Sequence, residues 1–83
     1  MSAGPRLTLL TREGCGLCEE LLAELDTLRA RQPAVPGVEL VDVDSDPALH
    51  RRWGMKVPVL LLDGAMVCSV RLNTPELLRL LRL

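Results

Sequence analysis

The sequence predicts an α/β fold in which a four-stranded mixed sheet is flanked by three helices, in the order β-α-β-α-β-β-α. Two observations lead to this prediction. Short apolar segments of strand length alternate with segments whose leucines recur at helical spacing. Near the end of the chain, Asp63-Gly64 separates two apolar segments and indicates a β-hairpin. With 83 residues and no internal repeat, the whole chain (1–83) is expected to form one domain.

The first half of the chain predicts one βαβ unit behind a loose end at residues 1–5. The first strand is expected over 6–11, where a run of leucines suggests burial on both faces. The first helix is expected from Gly16 to Arg31, because its leucines repeat every three or four residues and prolines follow it. The second strand is expected over 38–43, parallel to the first and joined to it by a right-handed crossover.

The second half predicts a short helix and then a hairpin. The short helix is expected from Pro47 to Trp53, with Asp46 as its N-cap and proline in its first position. The third and fourth strands are expected over 57–62 and 65–70, antiparallel to each other. Helices should therefore cover both faces of the sheet.

The last helix and the core both depend on leucine. Thr74 is expected to cap this helix, which runs to Leu83. Its leucine stripe is wide for a short helix, so one or two leucines are expected to stay exposed and to support a partner contact. The chain has nineteen leucines, and Trp53 is its one aromatic residue. Leucine and valine must therefore build the core, with Trp53 covering one end of it.

Composition argues against several classes of protein. A net charge of -1 and a pI near 5.7 provide no basic field for nucleic acid or an anionic membrane. No apolar run approaches the ~20 residues of a membrane span, and the N-terminal residues carry no apolar signal region. Three cysteines without such a signal argue against a structural disulfide framework. We therefore expect a cytoplasmic monomer that binds neither nucleic acid nor membrane.

The pair Cys15 and Cys18 lies where the first strand gives way to the first helix. A Cys-x-x-Cys pair in a βαβ context is a redox signature, because the helix N-terminus favours the reactive thiolate. Cys18 lies three residues on, on the same helical face, and can close a disulfide. A zinc site would need about four ligands, and only Cys68 and His50 remain, so no metal is expected. Cys68 is expected to be a buried apolar side chain.

The charges around the thiols act in opposite directions. Arg12 either helps to hold a Cys15 thiolate or is simply solvated. Glu13, Glu19 and Glu20 disfavour the thiolate, whereas the helix dipole favours it, and the sequence leaves the net sign open.

Two stretches, residues 14–18 and 53–60, resemble the thioredoxin superfamily. Gly-Cys-Gly-Leu-Cys in the first is similar to small glutaredoxin-like proteins with a Gly-Cys-x-Leu-Cys motif. The second resembles the aromatic-Gly-x-x-x-Pro-x-Leu segment of thioredoxins. The resemblance implies a thioredoxin-like fold and a thiol–disulfide oxidoreductase. The resemblance also implies that Cys15 is the attacking thiol and that Cys18 is the resolving thiol.

The resemblance also implies where substrate binds. It implies that Pro58 follows a cis peptide bond and faces the two thiols. The cis bond would leave the backbone of Val57 open to a peptide or to glutathione. Arg51, Arg52 and Lys56 form a basic cluster before Pro58, and Lys56 is its best candidate for carboxylate recognition. The predicted substrate-binding residues are therefore Arg12, Lys56, Val57 and Pro58. Residues 70–74 lack the Gly-Gly-x-Asp sequence of glutaredoxins that bind glutathione.

The sequence thus predicts a dithiol oxidoreductase with no bound cofactor. Its partners would be a disulfide-bearing protein or glutathione, with either a reductase or glutathione as the electron donor. A second hypothesis is a non-catalytic binding module of the same fold that docks a protein partner. The acidic neighbours of the thiols and the missing glutathione motif motivate that alternative.

Overall fold

The computed structural model describes residues 4–83, and residues 1–3 of the predicted loose end lie outside the described part. The predicted fold class and element order are confirmed. The elements are β1 (Leu7–Thr11), α1 (Gly16–Arg31), β2 (Val38–Asp42), a 3-10 turn (Val43–Ser45), α2 (Pro47–Trp53), β3 (Val59–Leu62), β4 (Ala65–Ser69) and α3 (Thr74–Leu81).

The four strands form one sheet in the order β2-β1-β3-β4. β1 is parallel to β2 and antiparallel to β3, and β4 closes a hairpin with β3. Leu9, at the centre of β1, pairs with Leu40 on one side and with Leu60 on the other. β1 lies between two other strands and is buried on both faces of the sheet, which explains why it is a nearly continuous apolar run.

Each face of the sheet carries its own core, because successive strand residues point to opposite sides. In β1, Leu9 points toward α1 and α3, whereas Leu10 points toward α2. The first cluster consists of Leu7, Leu9, Leu21, Leu25, Val35, Leu60, Cys68 and Leu77. The second consists of Leu10, Val43, Trp53, Val59 and Leu61. Trp53 is a buried member of the second cluster.

Several strand ends differ from the prediction. β1 begins at Leu7, one residue late. β2 ends at Asp42 because the Asp42 side chain accepts a hydrogen bond from the Asp44 N–H (2.9 Å) and starts the 3-10 turn. β3 begins at Val59, not at Val57, since Pro58 has no N–H for the ladder. These changes leave the topology unaltered.

The last helix also departs from the prediction at both ends. α3 stops at Leu81, where Arg82 takes a left-handed backbone conformation (φ 60°). Its N-cap is Asn73, whose side chain accepts a hydrogen bond from the Glu76 N–H (3.1 Å), so the prediction that Thr74 is the cap was wrong. Asparagine is among the best capping residues, and here it reaches the third helical N–H. Leu80 is exposed, as expected of a wide stripe, and Leu83, beyond the end of the helix, is exposed as well.

Replacing the cap gives a direct check on α3. We expect Asn73→Ala to lower the free energy of unfolding by about 0.5–2 kcal/mol, because the Glu76 N–H loses its partner. Thr74→Ala, one residue later, is the matched control and should cost less. Urea unfolding of the two variants measures the difference, and a larger loss for Thr74→Ala would contradict the assignment.

Candidate functional site

The turn between β1 and α1 is built by a backbone hydrogen bond and one glycine. The Cys15 N–H donates to the Arg12 carbonyl (3.2 Å), which closes a four-residue turn. Gly14, the third residue of this turn, has φ +75°, a conformation that favours glycine. The turn places Cys15 at the N-cap of α1.

Cys15 and Cys18 form a disulfide at the start of α1, with their Cα atoms 5.2 Å apart. The Cys15 Sγ also accepts a hydrogen bond from the Cys18 N–H (3.1 Å), as an N-cap side chain does. The two sulfurs differ in accessibility, because Cys15 is partly exposed whereas Cys18 is buried. Cys15 is therefore the more accessible cysteine of the pair.

Arg12 lies before the turn, and each nitrogen of its guanidinium group donates a hydrogen bond. Its Nε and Nη2 donate to the two carboxylate oxygens of Asp44 (2.8 and 3.0 Å), and Nη1 donates to the Gly54 carbonyl (3.0 Å). A bidentate pair of this kind fixes the orientation of both side chains. Arg12 thus ties the thiol turn to the 3-10 turn and to the loop after α2.

Asp44 is the centre of this network. Besides Arg12, its carboxylate contacts the His50 Nδ1 at 2.6 Å. The hydrogen bonds from Arg12, and then the one with His50, hold the pKa of Asp44 well below its usual range. Sequence reasoning did not find Asp44, because the partners are 32 and six residues away along the chain.

The lowered Asp44 pKa predicts a loss of stability in acid. A carboxylate with a depressed folded-state pKa contributes stability above its ordinary pKa of ~4, and the contribution disappears as pH falls through the folded value. Between about pH 5 and pH 2, wild type should therefore lose more unfolding free energy than Asp44→Asn. Asp26→Asn, an exposed substitution on α1, is the control and should follow wild type in urea unfolding. Equal acid sensitivity of Asp44→Asn and wild type would contradict this reading.

The other predicted binding residues lie at the start of β3. The Val57–Pro58 peptide bond is cis, as the resemblance implied. Neither the N–H nor the C=O of Val57 is used by another backbone group within residues 4–83, whereas the Pro58 carbonyl accepts from the Val70 N–H (2.8 Å). Since Val59 pairs with Leu10, this loop borders the same end of β1 that leads to the thiols.

Lys56 is directed toward Trp53. Its Nζ lies 5.7 Å from the centroid of the Trp53 ring, and the Arg52 guanidinium lies 4.8 Å from the same ring. Both distances fit a cation–π contact, which leaves the ammonium exposed to solvent and to anions.

A groove of about 290 Å³ opens beside the disulfide. Its lining residues are Thr11, Arg12, Glu13, Gly14, Cys15, Cys18, Glu19, Leu22 and Leu40. The structure therefore brings together the two cysteines and Arg12, while Lys56, Val57 and Pro58 stand outside the groove lining. Leu40 was not among the residues predicted for the site, and at 53% exposure it presents apolar surface to this groove.

The remaining titratable groups form no metal centre in the part of the chain that the structure describes. Within residues 4–83 no group of three or more His, Cys, Asp or Glu side chains could hold a metal ion. Cys68 is buried in the first core cluster, and burial raises the pKa of its thiol. Among residues 4–83, none of the helices combines the length and the apolar character of a membrane-spanning segment.

Comparisons with known proteins agree with this geometry. The family described as Glutaredoxin-like domain (DUF836) matches residues 6–82. The uncharacterized proteins Rv0508 of Mycobacterium tuberculosis and Mb0520 of Mycobacterium bovis are each 36% identical over 63 residues, which cover 72% of this chain. The chain spans 65% of the length of these relatives.

A solved structure is similar over almost the whole chain. The solution structure of protein Ne2328 from Nitrosomonas europaea matches with a TM-score of 0.78 and 28% identity. The match covers 92% of this chain and 89% of that protein. Together, the family match and the close cysteine pair support a redox role of thioredoxin-like type.

Proposed function

This chain belongs to the Glutaredoxin-like domain family, and on that premise we propose that it is a thiol–disulfide oxidoreductase working by a dithiol mechanism. One observation carries the proposal: a disulfide at the N-cap of a helix, with one partly exposed and one buried sulfur. Structural disulfides do not need such a position, whereas a nucleophilic thiolate gains from it.

In the first step the Cys15 thiolate attacks one sulfur of a substrate disulfide. A new Cys15–substrate disulfide forms, and the other substrate sulfur leaves as a thiolate. The Cys18 N–H, which donates to the Cys15 Sγ, and the positive end of the α1 dipole both favour negative charge on that sulfur.

In the second step the Cys18 thiolate attacks the Cys15 sulfur. The Cys15–Cys18 disulfide forms and the second substrate thiolate leaves, so the protein gives up two electrons and the substrate receives them. Cys18 is buried, so an outside disulfide has little access to it, whereas Cys15 lies within bonding distance. This arrangement suits a resolving thiol.

The loop before β3 supports the binding part of the proposal. The unused backbone N–H and C=O of Val57 are available to an extended substrate, in the manner of strand addition. Pro58 is fully buried and holds this backbone in place, and the Lys56 ammonium next to it offers a contact for a carboxylate. Arg12 contributes by positioning the turn, since its guanidinium is paired with Asp44.

The proposed partners follow from this chemistry. The substrate is a disulfide-bearing protein or glutathione disulfide, and a reductase or glutathione returns two electrons to the Cys15–Cys18 disulfide. We propose that the protein works in the cytoplasm, because a reducing compartment keeps such a cysteine pair available for turnover. We also propose that it works as a monomer, since the dithiol steps need only one chain.

A single-turnover experiment tests the activity without any assumption about the donor. The reduced protein, freed of reductant, is mixed with a chromogenic aromatic disulfide. We expect one equivalent of disulfide to be reduced and a Cys15–Cys18 disulfide to appear in the peptide map. If both thiols stay reduced while the free thiol cysteine reacts under the same conditions, the proposal is wrong. Coupled assays with glutathione plus glutathione reductase, and with thioredoxin reductase, then identify the donor.

The alternative of a non-catalytic binding module has one observation in its favour. Asp44 compensates the charge of Arg12, so Glu13 and Glu19 stand beside the thiols without a free cation in the groove. Their charge disfavours a thiolate. The pH dependence of Cys15 alkylation separates the two functions: a profile like that of free cysteine, together with no disulfide reduction, would favour the module.

A further inference from the structure

The groove beside the disulfide combines apolar and acidic residues. Leu22 lines it from α1 and Leu40 lines it from β2, while Glu13 and Glu19 line it from the turn and the first turn of α1. Cys15 also lines it, so whatever occupies the groove lies next to the attacking sulfur.

Leu40 is the more exposed of the two leucines that line the groove. Its pairing with Leu9 places its side chain on the face of the sheet that carries α1. Leu9 is completely buried there, but β2 is an edge strand bonded only to β1, and Leu40 remains 53% exposed. Covering such a side chain with an apolar group of a partner is favourable.

The net charge of the groove is negative. Arg12 lines it, but the guanidinium is paired with Asp44, which cancels its charge locally. Glu13 and Glu19 are exposed and form no ion pair within the described chain, 4–83. The groove therefore complements a cation next to an apolar group.

The size of the groove limits the occupant. Its volume of about 290 Å³ lies at the lower end of the ~300–1,000 Å³ of typical small-molecule sites. A volume of this size accommodates one large side chain.

From these four observations we propose that the groove selects the substrate of the oxidoreductase. Its occupant is a segment of a disulfide-bearing protein that has a large apolar residue on one side of its cysteine and a lysine or arginine on the other. The inference rests on the proposed function and names its substrate class. Glutathione fits poorly, because it has no large apolar side chain and its two carboxylates outnumber its one ammonium group.

The test measures the reduction of short peptides by the reduced protein. Each peptide carries one cysteine joined through a disulfide to thionitrobenzoate, whose release is seen by absorbance. The Cys15 thiolate attacks the peptide sulfur and thionitrobenzoate leaves as a thiolate; the Cys18 thiolate then forms the Cys15–Cys18 disulfide and releases the peptide thiolate. The peptides have Leu-Cys-Lys, Gly-Cys-Lys or Leu-Cys-Glu at their centre, and glutathione joined to thionitrobenzoate is the fourth substrate. Rates with free cysteine normalise their intrinsic reactivity.

Wild type should react with the Leu-Cys-Lys peptide roughly fivefold faster than with Gly-Cys-Lys, as expected when a leucine side chain is about half buried. It should prefer Leu-Cys-Lys to Leu-Cys-Glu by about twofold at low salt, and this preference should fade as salt screens the exposed charges. The glutathione derivative should react most slowly.

Variants assign the preference to the groove. Leu40→Ser should remove most of the leucine preference, whereas Met66→Ser, which changes a similarly exposed residue on the opposite edge strand, should leave it intact. Glu19→Gln should reduce the lysine preference, with Glu24→Gln further along α1 as its control.

The outcomes separate this inference from the function on which it rests. Equal normalised rates for all four substrates, or a leucine preference that survives Leu40→Ser, would overturn the groove while leaving the oxidoreductase in place. Absence of thionitrobenzoate release from every substrate would instead overturn the proposed function. A preference that depends on protein concentration would indicate that a second copy of the chain occupies the groove, and would also overturn the proposal.

Discussion

Cys15→Ser is expected to abolish disulfide reduction and to bring the rate to the background without protein. A serine hydroxyl is not ionised at neutral pH and does not displace sulfur from a disulfide. Cys18 is buried, so it does not attack the substrate disulfide in place of Cys15. The measurement is reduction of a protein disulfide with excess reductase and donor. Cys68→Ala is the matched control, because it removes the remaining cysteine, which is buried in the first core cluster.

Cys18→Ser should have a different result. The first step still proceeds, but nothing inside the protein resolves the Cys15–substrate disulfide, so about one equivalent of mixed disulfide accumulates. Intact-mass measurement before and after a reducing agent detects the adduct. An adduct on Cys18→Ser and none on Cys15→Ser would support the two roles. The reverse pattern would exchange them, and normal turnover by Cys15→Ser would end the dithiol mechanism.

The elements and the position of the thiols could be predicted from sequence because they depend on local patterns. Leucines at helical spacing define α1, and Asp63-Gly64 fixes the β3–β4 hairpin, where both residues have positive φ (50° and 86°). The position of Cys15 at a strand-to-helix turn follows from the same patterns. The cis bond at Pro58 came only from the resemblance, since proline alone predicts it rarely.

The parts that could not be predicted depend on contacts between distant residues. The role of Arg12 depends on Asp44 and Gly54, which are 32 and 42 residues away. The exposure of Leu40 depends on the order of strands in the sheet, which leaves β2 at an edge. A leucine within a strand has the same local sequence pattern in a central strand and in an edge strand, so the sequence alone does not show how far Leu40 is exposed.

Val70 shows how a tertiary contact overrides residue preference. It was predicted to continue the fourth strand, because valine favours strands. In the structure it follows β4 with φ +69°, a conformation that a β-branched residue rarely adopts. Its N–H donates to the Pro58 carbonyl, and this contact holds the chain as it leaves the sheet. The strain thus lies next to the proposed binding loop, where strained residues tend to occur.

Leu25→Ala is expected to have the largest effect on stability. Leu25 is completely buried in the first core cluster and lies seven residues after Cys18, on the face of α1 that packs on the sheet. Truncating such a leucine costs about 2–5 kcal/mol, because packing is lost and a cavity remains. A domain of this size is stable by only about 4–12 kcal/mol, so the loss is a large fraction of the total.

The same substitution links the core to the redox site. α1 carries both cysteines, and Cys18 is protected only as long as α1 stays packed on the sheet. Under reducing conditions, urea unfolding of Leu25→Ala should show the predicted loss, and Cys18 should be alkylated faster than in wild type because α1 opens more often. Leu80→Ala, at a residue that is 39% exposed on α3, is the control and should change the unfolding free energy by less than about 1 kcal/mol. If Leu25→Ala is as stable as Leu80→Ala, α1 is not held by the first core cluster. If it is less stable but Cys18 reacts no faster, opening of α1 does not control access to Cys18, the proposed resolving thiol.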